Sequence, residues 1–329
     1  MYKVSIMSKK VLITGGAGFI GSNICEKLLH TPDVDLVRVI DNLSTASKEN
    51  ISHLIPNSKF EFVEGDIRDY STCINVSKDI DIVLHQAALG SVPRSIQDPI
   101  TTNQFNIDGT LNIFFAAKES NIKKIVFASS SSTYGSNQEL PKLEKNIGEP
   151  LSPYAVTKLV SELYAKVFSS LYDFRFIGFR YFNVFGPKQS PKGPYAAVVP
   201  IFFRDMMQGK SPKINGNGEQ SRDFTYVENV VDINISTLFN DQPDSWNNIY
   251  NVACGYKTSL NQLYQQIAEL VGYPGKPVYG PERKGDIRDS LADISKAITL
   301  LKYHPKFSIQ QGLQRAYDWY KNNQTFLME

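Results

Sequence analysis

Residues 11–22 read VLITGGAGFIGS, an apolar run that passes directly into a glycine-rich turn. VLIT is apolar and β-favouring, and the residues after the turn follow an apolar helical pattern. Gly16, Gly18 and Gly21 fit the spacing GxGxxG where the strand gives way to the helix. Glycines are needed there because the turn is tight and the backbone must approach a pyrophosphate closely. The stretch therefore predicts a dinucleotide-binding βαβ unit.

The rest of the first half continues this alternation of strands and helices. Strands are predicted at 37–41, 59–65, 81–88, 124–130 and 174–182, and the clearest helices at 102–120 and 154–170. Near-continuous apolar strands separated by helices indicate a parallel sheet covered on both faces. The predicted fold class is therefore α/β, a Rossmann-type doubly wound parallel sheet with a smaller α/β substrate-binding domain.

Proline and glycine become frequent after residue 186, where we predict the main domain boundary. Residues 1–186 are expected to form the dinucleotide-binding domain, and residues 187–329 the smaller substrate-binding domain. The latter is predicted to be loop-rich, with helices near 226–240, 259–271 and 308–322. NIYNVA at 248–253 is predicted as a strand, and residues 225–253 are expected to return to the first domain.

Composition argues against several classes of protein. The chain has 329 residues, of which 42% are hydrophobic and 21% charged, as in ordinary globular proteins. A net charge of +2 gives no reason to expect a nucleic-acid or membrane partner. The three cysteines form no CxxC and the four histidines no ligand spacing, so we expect no metal and a reducing cytoplasm. The first ten residues do not read as a signal peptide, and no apolar run approaches the ~18 residues of a membrane span.

The end of the second predicted strand bears on the choice of cofactor. Asp41 follows Gly21 at about the 20-residue interval at which dinucleotide-binding folds place an acid. Its carboxylate can accept hydrogen bonds from the adenosine ribose and would repel a 2′-phosphate, which favours NAD over NADP. Asp66 and Ile67, after the third strand, are positioned to meet the adenine. A surface aspartate after an ordinary glycine turn is the competing explanation.

The stretch SPYAVTK at 152–158 contains the strongest catalytic candidates. On a helix, Tyr154 and Lys158 lie one turn apart and share a face. A nearby ammonium favours the phenolate, so the pair can act as a general base at neutral pH. Tyr317 and Lys321 repeat this spacing, and we interpret them as a surface pair because no companion residues accompany them.

Several segments together resemble a known superfamily. TGGAGFIG, Ser130 and YAVTK are similar to the extended short-chain dehydrogenases/reductases. The likeness narrows to the UDP-galactose 4-epimerase-like family through HQAALGSVPRS, RYFNVFGP, SRDFTYVENV and KGDIRDSLADISKA. It spans nearly the whole chain and is greatest to bacterial UDP-N-acetylglucosamine 4-epimerases. By this resemblance Tyr154 is the base, Lys158 binds the nicotinamide ribose and tunes the tyrosine, and Ser130 hydrogen-bonds the reacting sugar hydroxyl.

The resemblance implies that the first domain binds NAD. The residues implied for cofactor binding are Gly15, Gly18, Phe19, Ile20, Gly21, Asp41, Asn42, Ser44, Thr45, Asp66, Ile67, Gln86, Ala87, Ala88, Asn106, Tyr154, Lys158, Tyr181 and Val184.

The resemblance also implies that the second domain binds a UDP-sugar. Arg222 and Arg283 match positions that bind the pyrophosphate, a task to which arginine is suited, and Asn183 and Asp286 match positions that contact phosphate and ribose. The residues implied for substrate binding are Ser91, Ser130, Ser131, Ser132, Tyr154, Asn183, Gln189, Val198, Ile214, Asn215, Arg222, Arg283, Asp286 and Ser290. A solvated side chain is the ordinary alternative for a loop arginine.

Two serines after Ser130 bear on the reaction type. Related sugar-nucleotide dehydratases have acids just after the catalytic hydroxyl, where this chain has Ser131 and Ser132. A hydroxyl can orient a sugar but is a poor proton donor to a leaving hydroxide. The resemblance therefore implies oxidation at C4 and return of the hydride to the opposite face of the sugar, without elimination. A polar turn of capping hydroxyls is the competing explanation.

Ser290 bears on which sugar the chain is expected to accept. In galactose-type relatives a tyrosine crowds the C2 substituent at the matching place, whereas a serine leaves room for an acetamido group. We therefore expect 4-epimerisation of UDP-N-acetylhexosamines. The alternatives are 4-epimerisation of the corresponding uronic acid or of UDP-glucose/galactose, and a non-catalytic NAD-binding regulator.

An oligomer is also expected. Helices 102–120 and 154–170 have wide apolar faces, and spare apolar surface would suit the family's homodimer of two helices from each copy. Burial of both faces within a monomer is the competing explanation.

Overall fold

The computed structural model describes residues 8–193, 196–282 and 288–328. Up to the sixth strand, the elements are β1 Lys9–Thr14, α1 Phe19–Leu29, β2 Val34–Asp41, α2 Glu49–Ser52, β3 Phe60–Glu64, α3 Tyr70–Val76, β4 Ile82–His85, α4 Val92–Gln97, α5 Pro99–Asn103, α6 Gly109–Glu119, β5 Lys124–Ser130, α7 Pro153–Leu171 and β6 Arg175–Tyr181. After it come β7 Val184–Phe185, α8 Val198–Met207, β8 Lys213–Asn215, β9 Ser221–Arg222, β10 Thr225–Tyr226, α9 Val227–Leu238, β11 Asn248–Val252, β12 Thr258–Ser259, α10 Leu260–Val271, β13 Val278–Gly280, α11 Ser295–Leu301, α12 Ile309–Asn322 and α13 Gln324–Met328.

Seven strands form the main sheet in the order β11-β6-β5-β4-β1-β2-β3. The pairings of β1 with β2 and β4, of β2 with β3, and of β4 with β5 are all parallel. The strand order reverses beside β1, and sheets of this kind bind ligands beyond the carboxyl ends of the strands at such a reversal. The predicted Rossmann-type doubly wound sheet is confirmed.

The chain forms two compact units. The first contains the chain up to Thr133 with Ser152–Arg180 and Val231–Tyr250, and the second contains Tyr134–Leu151, Tyr181–Val230 and the chain from Asn251 onward. The sequence did not single out Tyr134–Leu151, which is tied to the second unit by backbone hydrogen bonds. The Lys142 N–H donates to the Leu291 carbonyl at 2.7 Å, and the Asp293 N–H donates to the Lys142 carbonyl at 3.0 Å.

Aromatic packing organises the core of the first unit. Phe114 of α6 is fully buried and meets Phe127 of β5, Phe168 of α7 and Phe174 at ring-centroid distances of 5.7, 5.9 and 5.6 Å. Tilted and edge-to-face pairs of this kind add about 0.5–1.5 kcal/mol each beyond the area that they bury. They fix α6 and α7 against the sheet, and α7 carries two of the catalytic candidates.

Two helices differ from the sequence expectation. The predicted helix 102–120 is interrupted by a π-helical turn, Gln104–Asp108, between α5 and α6. Helix α8, which begins at Val198 where proline and glycine are frequent, is not among the helices predicted for the second part of the chain. Pro200 is tolerated there because the N–H groups of a first helical turn have no partner within the helix. Among the described helices, none combines the length and the apolar character that crossing a lipid bilayer requires.

Candidate active site

The glycine-rich turn after β1 leaves no room for side chains. Gly15 has φ +71°, and a Cβ there would lie 2.7 Å from the Ala87 Cα atom. A Cβ on Gly21 would lie 2.2 Å from the Gly15 carbonyl oxygen. Gly18 caps α1 without a side chain, so the first N–H groups of this helix remain available to an anion. The turn is thus a cradle whose exposed donors suit a pyrophosphate.

A cavity of about 340 Å³ opens at this turn. The predicted cofactor residues that line it are Gly15, Gly18, Phe19, Ile20, Gly21, Asp41, Asn42, Ser44, Thr45, Ile67, Gln86, Ala87 and Ala88. The wall residues that sequence reasoning missed are Ile40, Ala46, Gly65, Leu89, Gly90 and Phe105. The volume, the glycine cradle and the acid at the wall fit a dinucleotide.

Backbone donors fix Asp41 at the cavity wall. Its Oδ2 accepts the Ala17 N–H at 3.0 Å, and its Oδ1 accepts the Leu43 N–H at 2.9 Å. Burial raises the pKa of this carboxyl, while the N–H groups of Leu43, Ala17 and Gly18 act in the opposite direction. A carboxylate has more acceptor positions than these bonds use, so it can still accept ribose hydroxyls.

Asp66 and Ile67 differ in what their side chains face. Arg68 donates to both carboxylate oxygens of Asp66, at 3.0 and 2.7 Å, and the Asn42 amide donates at 2.8 Å. The hydrogen bond from Arg68 is the main reason that the pKa of Asp66 falls to about 2. Asp66 is therefore committed to these neighbours, and Ile67 is the residue of the two that lines the cavity.

Six predicted cofactor residues do not line this cavity: Asp66, the catalytic candidates Tyr154 and Lys158, and Asn106, Tyr181 and Val184. Asn106 is buried in the π-helical turn, where its side chain bonds Leu89 and Thr157 instead of facing the cavity. Tyr181, at the end of β6, and Val184, in β7, belong to the second unit.

The end of β5 and the start of α7 bring the predicted catalytic residues together. Ser152 caps the start of helix α7, and its side chain accepts the Ala155 N–H at 3.1 Å. The Ser130 side chain hydrogen-bonds the Tyr154 phenol. The Lys158 Nζ atom lies 5.9 Å from the centre of the Tyr154 ring.

Burial dominates the acid–base character of this set. It raises the pKa of Tyr154, and the hydrogen bond with Ser130 lowers it by a smaller amount. It lowers the pKa of Lys158 to about 8, against an opposing contribution from Glu162. Lys158 is therefore still largely an ammonium at neutral pH, and it donates to the Ala128 carbonyl at 2.7 Å. The arrangement holds a cation beside a phenol in a poorly solvated place, where that cation has most influence on ionisation.

A buried ion pair behind Lys158 was missed by sequence reasoning. Arg180 of β6 donates to both carboxylate oxygens of Glu162, at 2.9 and 2.8 Å. The Ser129 hydroxyl also donates to Glu162, at 2.5 Å. Glu162 lies one turn after Lys158 on α7, and that spacing was the only available signal.

The serines near the catalytic set have different environments. Ser132 donates its N–H to the Ser130 hydroxyl at 3.1 Å, while its own Oγ is buried and has no hydrogen-bond partner. Ser131 opens the same short 3₁₀ turn, which follows β5 directly. Ser91 caps α4 from a left-handed backbone conformation, φ +104°, and accepts the Arg94 N–H at 3.3 Å. A buried hydroxyl without a protein partner can bond a water molecule or a polar ligand beside Ser130.

Within the second unit, Ser290 lies against the strand that carries Arg222. The Ser290 N–H donates to the Ser221 carbonyl at 3.1 Å, and the Arg222 guanidinium donates to the same carbonyl at 2.8 Å. The Gln189 amide nitrogen donates to Val184, whereas its Oε1 is buried and unpartnered.

The remaining predicted substrate residues of this unit are dispersed over several elements. Asn183 has φ +32° and accepts the Thr225 N–H, Val198 opens α8, and Ile214 and Asn215 lie on β8, which pairs with β13. Arg283 and Asp286 lie outside the described residues.

A dinucleotide cavity at the reversal of a doubly wound sheet, with a Ser–Tyr–Lys set at a strand end, defines an NAD-dependent enzyme of the short-chain dehydrogenase/reductase type. Residues 11–253 match the NAD-dependent epimerase/dehydratase family, and the chain belongs to this family. Its cofactor is NAD.

Several related proteins are similar to this chain over nearly its whole length. A putative UDP-glucose 4-epimerase of Methanocaldococcus jannaschii is 40% identical, over 95% of this chain and 99% of that protein. A UDP-glucose 4-epimerase of Mycolicibacterium smegmatis is 35% identical over the same shares of both chains. The solved UDP-N-acetylglucosamine 4-epimerase of Methanobrevibacter ruminantium, in complex with UDP-N-acetylmuramic acid, is 40% identical with a TM-score of 0.90, over 96% of this chain and 99% of that one.

Proposed function

We propose that this chain catalyses the 4-epimerisation of UDP-N-acetylhexosamines, interconverting UDP-N-acetylglucosamine and UDP-N-acetylgalactosamine. At the level of the family, the activity is NAD-dependent 4-epimerisation of a UDP-sugar. The finer assignment of the sugar rests on one observation. A small side chain, Ser290, lies beside Arg222, the arginine to which the resemblance gives the pyrophosphate.

The chemistry requires a base at the C4 hydroxyl, and Tyr154 has the companions for this role. Lys158 supplies positive charge, and Ser130 supplies a hydroxyl that can orient both the phenol and the sugar hydroxyl. When bound, NAD supplies the oxidising and then the reducing equivalent at C4. The same phenol that accepts the proton at C4 returns it after the sugar has turned, so the protein ends the cycle unchanged.

The neighbours of Ser130 support epimerisation over dehydration. Elimination of water needs an additional acid, and Ser131 and Ser132 offer only hydroxyls of far higher pKa. The unpartnered Ser132 Oγ atom is suited to a sugar hydroxyl, which would satisfy it. The ketone formed at C4 would thus be held and returned without loss of a leaving group.

The nucleotide must stay fixed while the oxidised sugar turns, and the second unit has groups suited to this. Arg222 provides a charge-assisted donor for the pyrophosphate. Gln189 has a buried acceptor without a partner, which fits the N–H of a uracil. Arg283, Asp286, Asn183, Ile214 and Asn215 are proposed to complete the nucleotide site on the resemblance alone.

The decisive experiment is a sugar-nucleotide panel assayed by separation of the products with no NAD added. We expect conversion of UDP-N-acetylglucosamine and UDP-N-acetylgalactosamine into each other, faster than that of UDP-glucose and UDP-galactose. Preference for a UDP-N-acetylhexosaminuronic acid, or for UDP-glucose and UDP-galactose, would overturn the assignment of the sugar. The assignment of the chain as a 4-epimerase would still stand. Turnover of no sugar nucleotide, in protein that binds NAD, would favour a regulatory role.

We also propose a homodimer, for which α7 offers a surface. Val156, Leu163 and Val167 share one face of this helix and are 44%, 51% and 50% exposed. Phe115 of α6 is 38% exposed, whereas Phe114 belongs to the core. Exposed apolar side chains at successive turns suit an isologous contact with a second copy.

Light scattering after size-exclusion chromatography tests the dimer. Leu163→Glu should give monomers, whereas Ile55→Glu, at an apolar residue of similar exposure outside both helices, should leave the mass unchanged. A monomeric wild type would overturn the proposal.

We further propose a cytoplasmic location. All three cysteines are free and buried, which fits a reducing compartment. Fractionation of the source cells, with detection of the protein in the membrane or secreted fraction instead, would contradict it.

A further inference from the structure

A chain of buried hydrogen bonds runs behind the cofactor cavity, and its donors and acceptors can be assigned one by one. The Thr110 hydroxyl donates its single hydrogen to the Asn106 carbonyl at 2.7 Å. It must therefore accept at its contact of 2.9 Å with His85 Nε2, so Nε2 carries the ring proton. In a neutral imidazole Nδ1 is then an acceptor, and the Thr14 hydroxyl donates to it at 2.7 Å.

The first arm of the chain reaches the cavity wall. Having donated to His85, the Thr14 hydroxyl accepts the Ala87 N–H at 3.2 Å. Ala87 lines the cavity and is the residue that a Cβ on Gly15 would strike. The direction of every bond is thus fixed from Ala87 through Thr14 and His85 to Thr110.

The second arm reaches the catalytic helix. The Asn106 side chain accepts the Leu89 N–H at 2.8 Å and donates to the Leu89 carbonyl, which fixes its orientation. The amide nitrogen also donates to the Thr157 hydroxyl at 3.1 Å. Thr157 then donates to the Tyr154 carbonyl at 2.8 Å. The chain therefore ends on the backbone of the proposed base.

We propose that this chain, centred on a neutral His85 of fixed tautomer, positions the catalytic tyrosine relative to the wall of the cofactor cavity. Its side chains are all buried, so water cannot replace a lost partner. His85 and Thr110 touch neither the cavity nor the phenol, and they are positioning residues for the reaction. The inference rests on NAD binding and on Tyr154 as the base, and it does not depend on which sugar is turned over.

Thr110→Val tests the chain, and Thr102→Val is its matched control. Both threonines are buried and both donate to the carbonyl four residues earlier, Thr110 at 2.7 Å and Thr102, in α5, at 2.8 Å. The difference between them is that Thr110 also accepts from His85. Each substitution therefore removes an equivalent hydrogen bond from a threonine hydroxyl to the carbonyl four residues earlier, and only Thr110→Val also breaks the chain.

The measurements are NAD affinity without any sugar, kcat and KM for the sugar nucleotide, and thermal stability. We expect Thr110→Val to weaken NAD binding and to lower kcat by about tenfold each, with KM within about twofold of wild type. Thr102→Val should lower thermal stability to a similar extent but keep the wild-type NAD affinity and kcat. Thr110→Ser should restore the NAD affinity and kcat that Thr110→Val loses. Equal NAD affinity and kcat in the two valine variants would overturn the proposal.

Thr157→Val breaks the chain at its other end. It should by itself lower kcat and leave KM nearly unchanged, and it serves as the test if Thr110→Val does not fold; a kcat like that of wild type would then overturn the proposal. Where both single variants fold, they can be combined. One broken bond already uncouples the cavity wall at Ala87 from the backbone of Tyr154. The double variant should therefore have about the same kcat as the less active of the two single variants. Multiplication of the two effects would mean that the threonines act independently, and the chain would then be rejected. Since the NAD measurement needs no sugar, failure of the sugar assignment would leave this test intact.

Discussion

Lys158 Nζ lies 5.9 Å from the centre of the Tyr154 ring, and Lys321 Nζ lies 6.0 Å from that of Tyr317. The two pairs have the same spacing in sequence and nearly the same local geometry. Their surroundings separate them, because Tyr154 bonds Ser130 at a strand end whereas Tyr317 stacks on Phe203. A tyrosine–lysine pair on a helix is therefore not sufficient for a catalytic base, and its neighbours determine its role.

Tyr154→Phe should nearly abolish turnover while the protein keeps its NAD. Loss of a positioned acid–base group typically costs about 10²–10⁴-fold in rate. The ring and its packing remain, so binding of the sugar nucleotide should change little. Steady-state kinetics and calorimetric binding measure the two effects separately.

Tyr317→Phe is the internal control for this prediction. It removes the same hydroxyl from a pair with the same geometry, and kcat should stay within about twofold of wild type because Tyr317 belongs to the second unit, where it stacks on Phe203. If the two variants lose activity equally, the assignment of Tyr154 as the base fails.

Gly21→Ala should empty the cofactor site. The added Cβ would meet the Gly15 carbonyl at 2.2 Å and the Gly16 Cα at 2.8 Å, so helix and turn must separate. Strain of this kind costs about 1–3 kcal/mol, or about one to two decades in NAD affinity. Gly90 lines the same cavity, and a Cβ there would meet nothing within 4 Å. Denaturation and assay of released dinucleotide should find NAD in wild type and Gly90→Ala, and far less in Gly21→Ala; similar loss from both variants would contradict the cradle.

The buried His85 should make the protein sensitive to mild acid. Burial, with a smaller contribution from Lys158, lowers its pKa from 6.5 to about 3. Between these values the unfolded chain binds one proton more than the folded protein. The stabilisation is therefore complete above pH 6.5 and is lost as the pH falls, by about 1.4 kcal/mol per pH unit.

Asp223 acts in the opposite direction in the same window, since burial raises its pKa from 3.8 to about 6. A variant that lacks only His85 separates the contribution of His85 to the pH dependence of stability from that of Asp223. From about pH 7 to about pH 5, the free energy of unfolding of wild type should fall by about 2 kcal/mol more than that of His85→Gln, measured by urea denaturation. Parallel pH dependence of the two proteins would mean that His85 is not buried in its neutral form.

The sequence predicted the elements that short-range patterns encode. VLITGGAGFIGS fixes a strand, a turn and a helix within a dozen residues, and the cavity forms around it. Asn106 illustrates what such patterns miss. The resemblance implied that Asn106 contacts the cofactor, but the π-helical turn directs its side chain to Leu89 and Thr157. No local signal marked that turn within an otherwise regular helical pattern.

The contacts that were missed are those between distant parts of the chain. Glu162 of α7 pairs with Arg180 of β6, a contact between a helix and the sheet that neither charge reveals alone. Thr14 and His85 meet because β1 and β4 are adjacent, an arrangement that follows from topology and not from spacing. Sequence patterns therefore identified many residues at the site. The hydrogen bonds and the ion pair that hold those residues in place could be identified only from the fold.

Ser290→Tyr should change the preference among sugars without abolishing the reaction. Ser290 is 9% exposed, and its N–H is held by the Ser221 carbonyl at 3.1 Å, so the backbone cannot easily move away from a larger side chain. A phenol there would take up space that we assign to the acetamido group on C2. A clash that cannot relax costs roughly 1–3 kcal/mol, or about one to two decades in relative rate. Turnover of UDP-N-acetylglucosamine and UDP-N-acetylgalactosamine should therefore fall by that factor relative to UDP-glucose and UDP-galactose, while Ser290→Ala should keep the wild-type preference. Equal loss of all four substrates in the tyrosine variant would mean that Ser290 supports the fold of this segment and does not line the C2 wall.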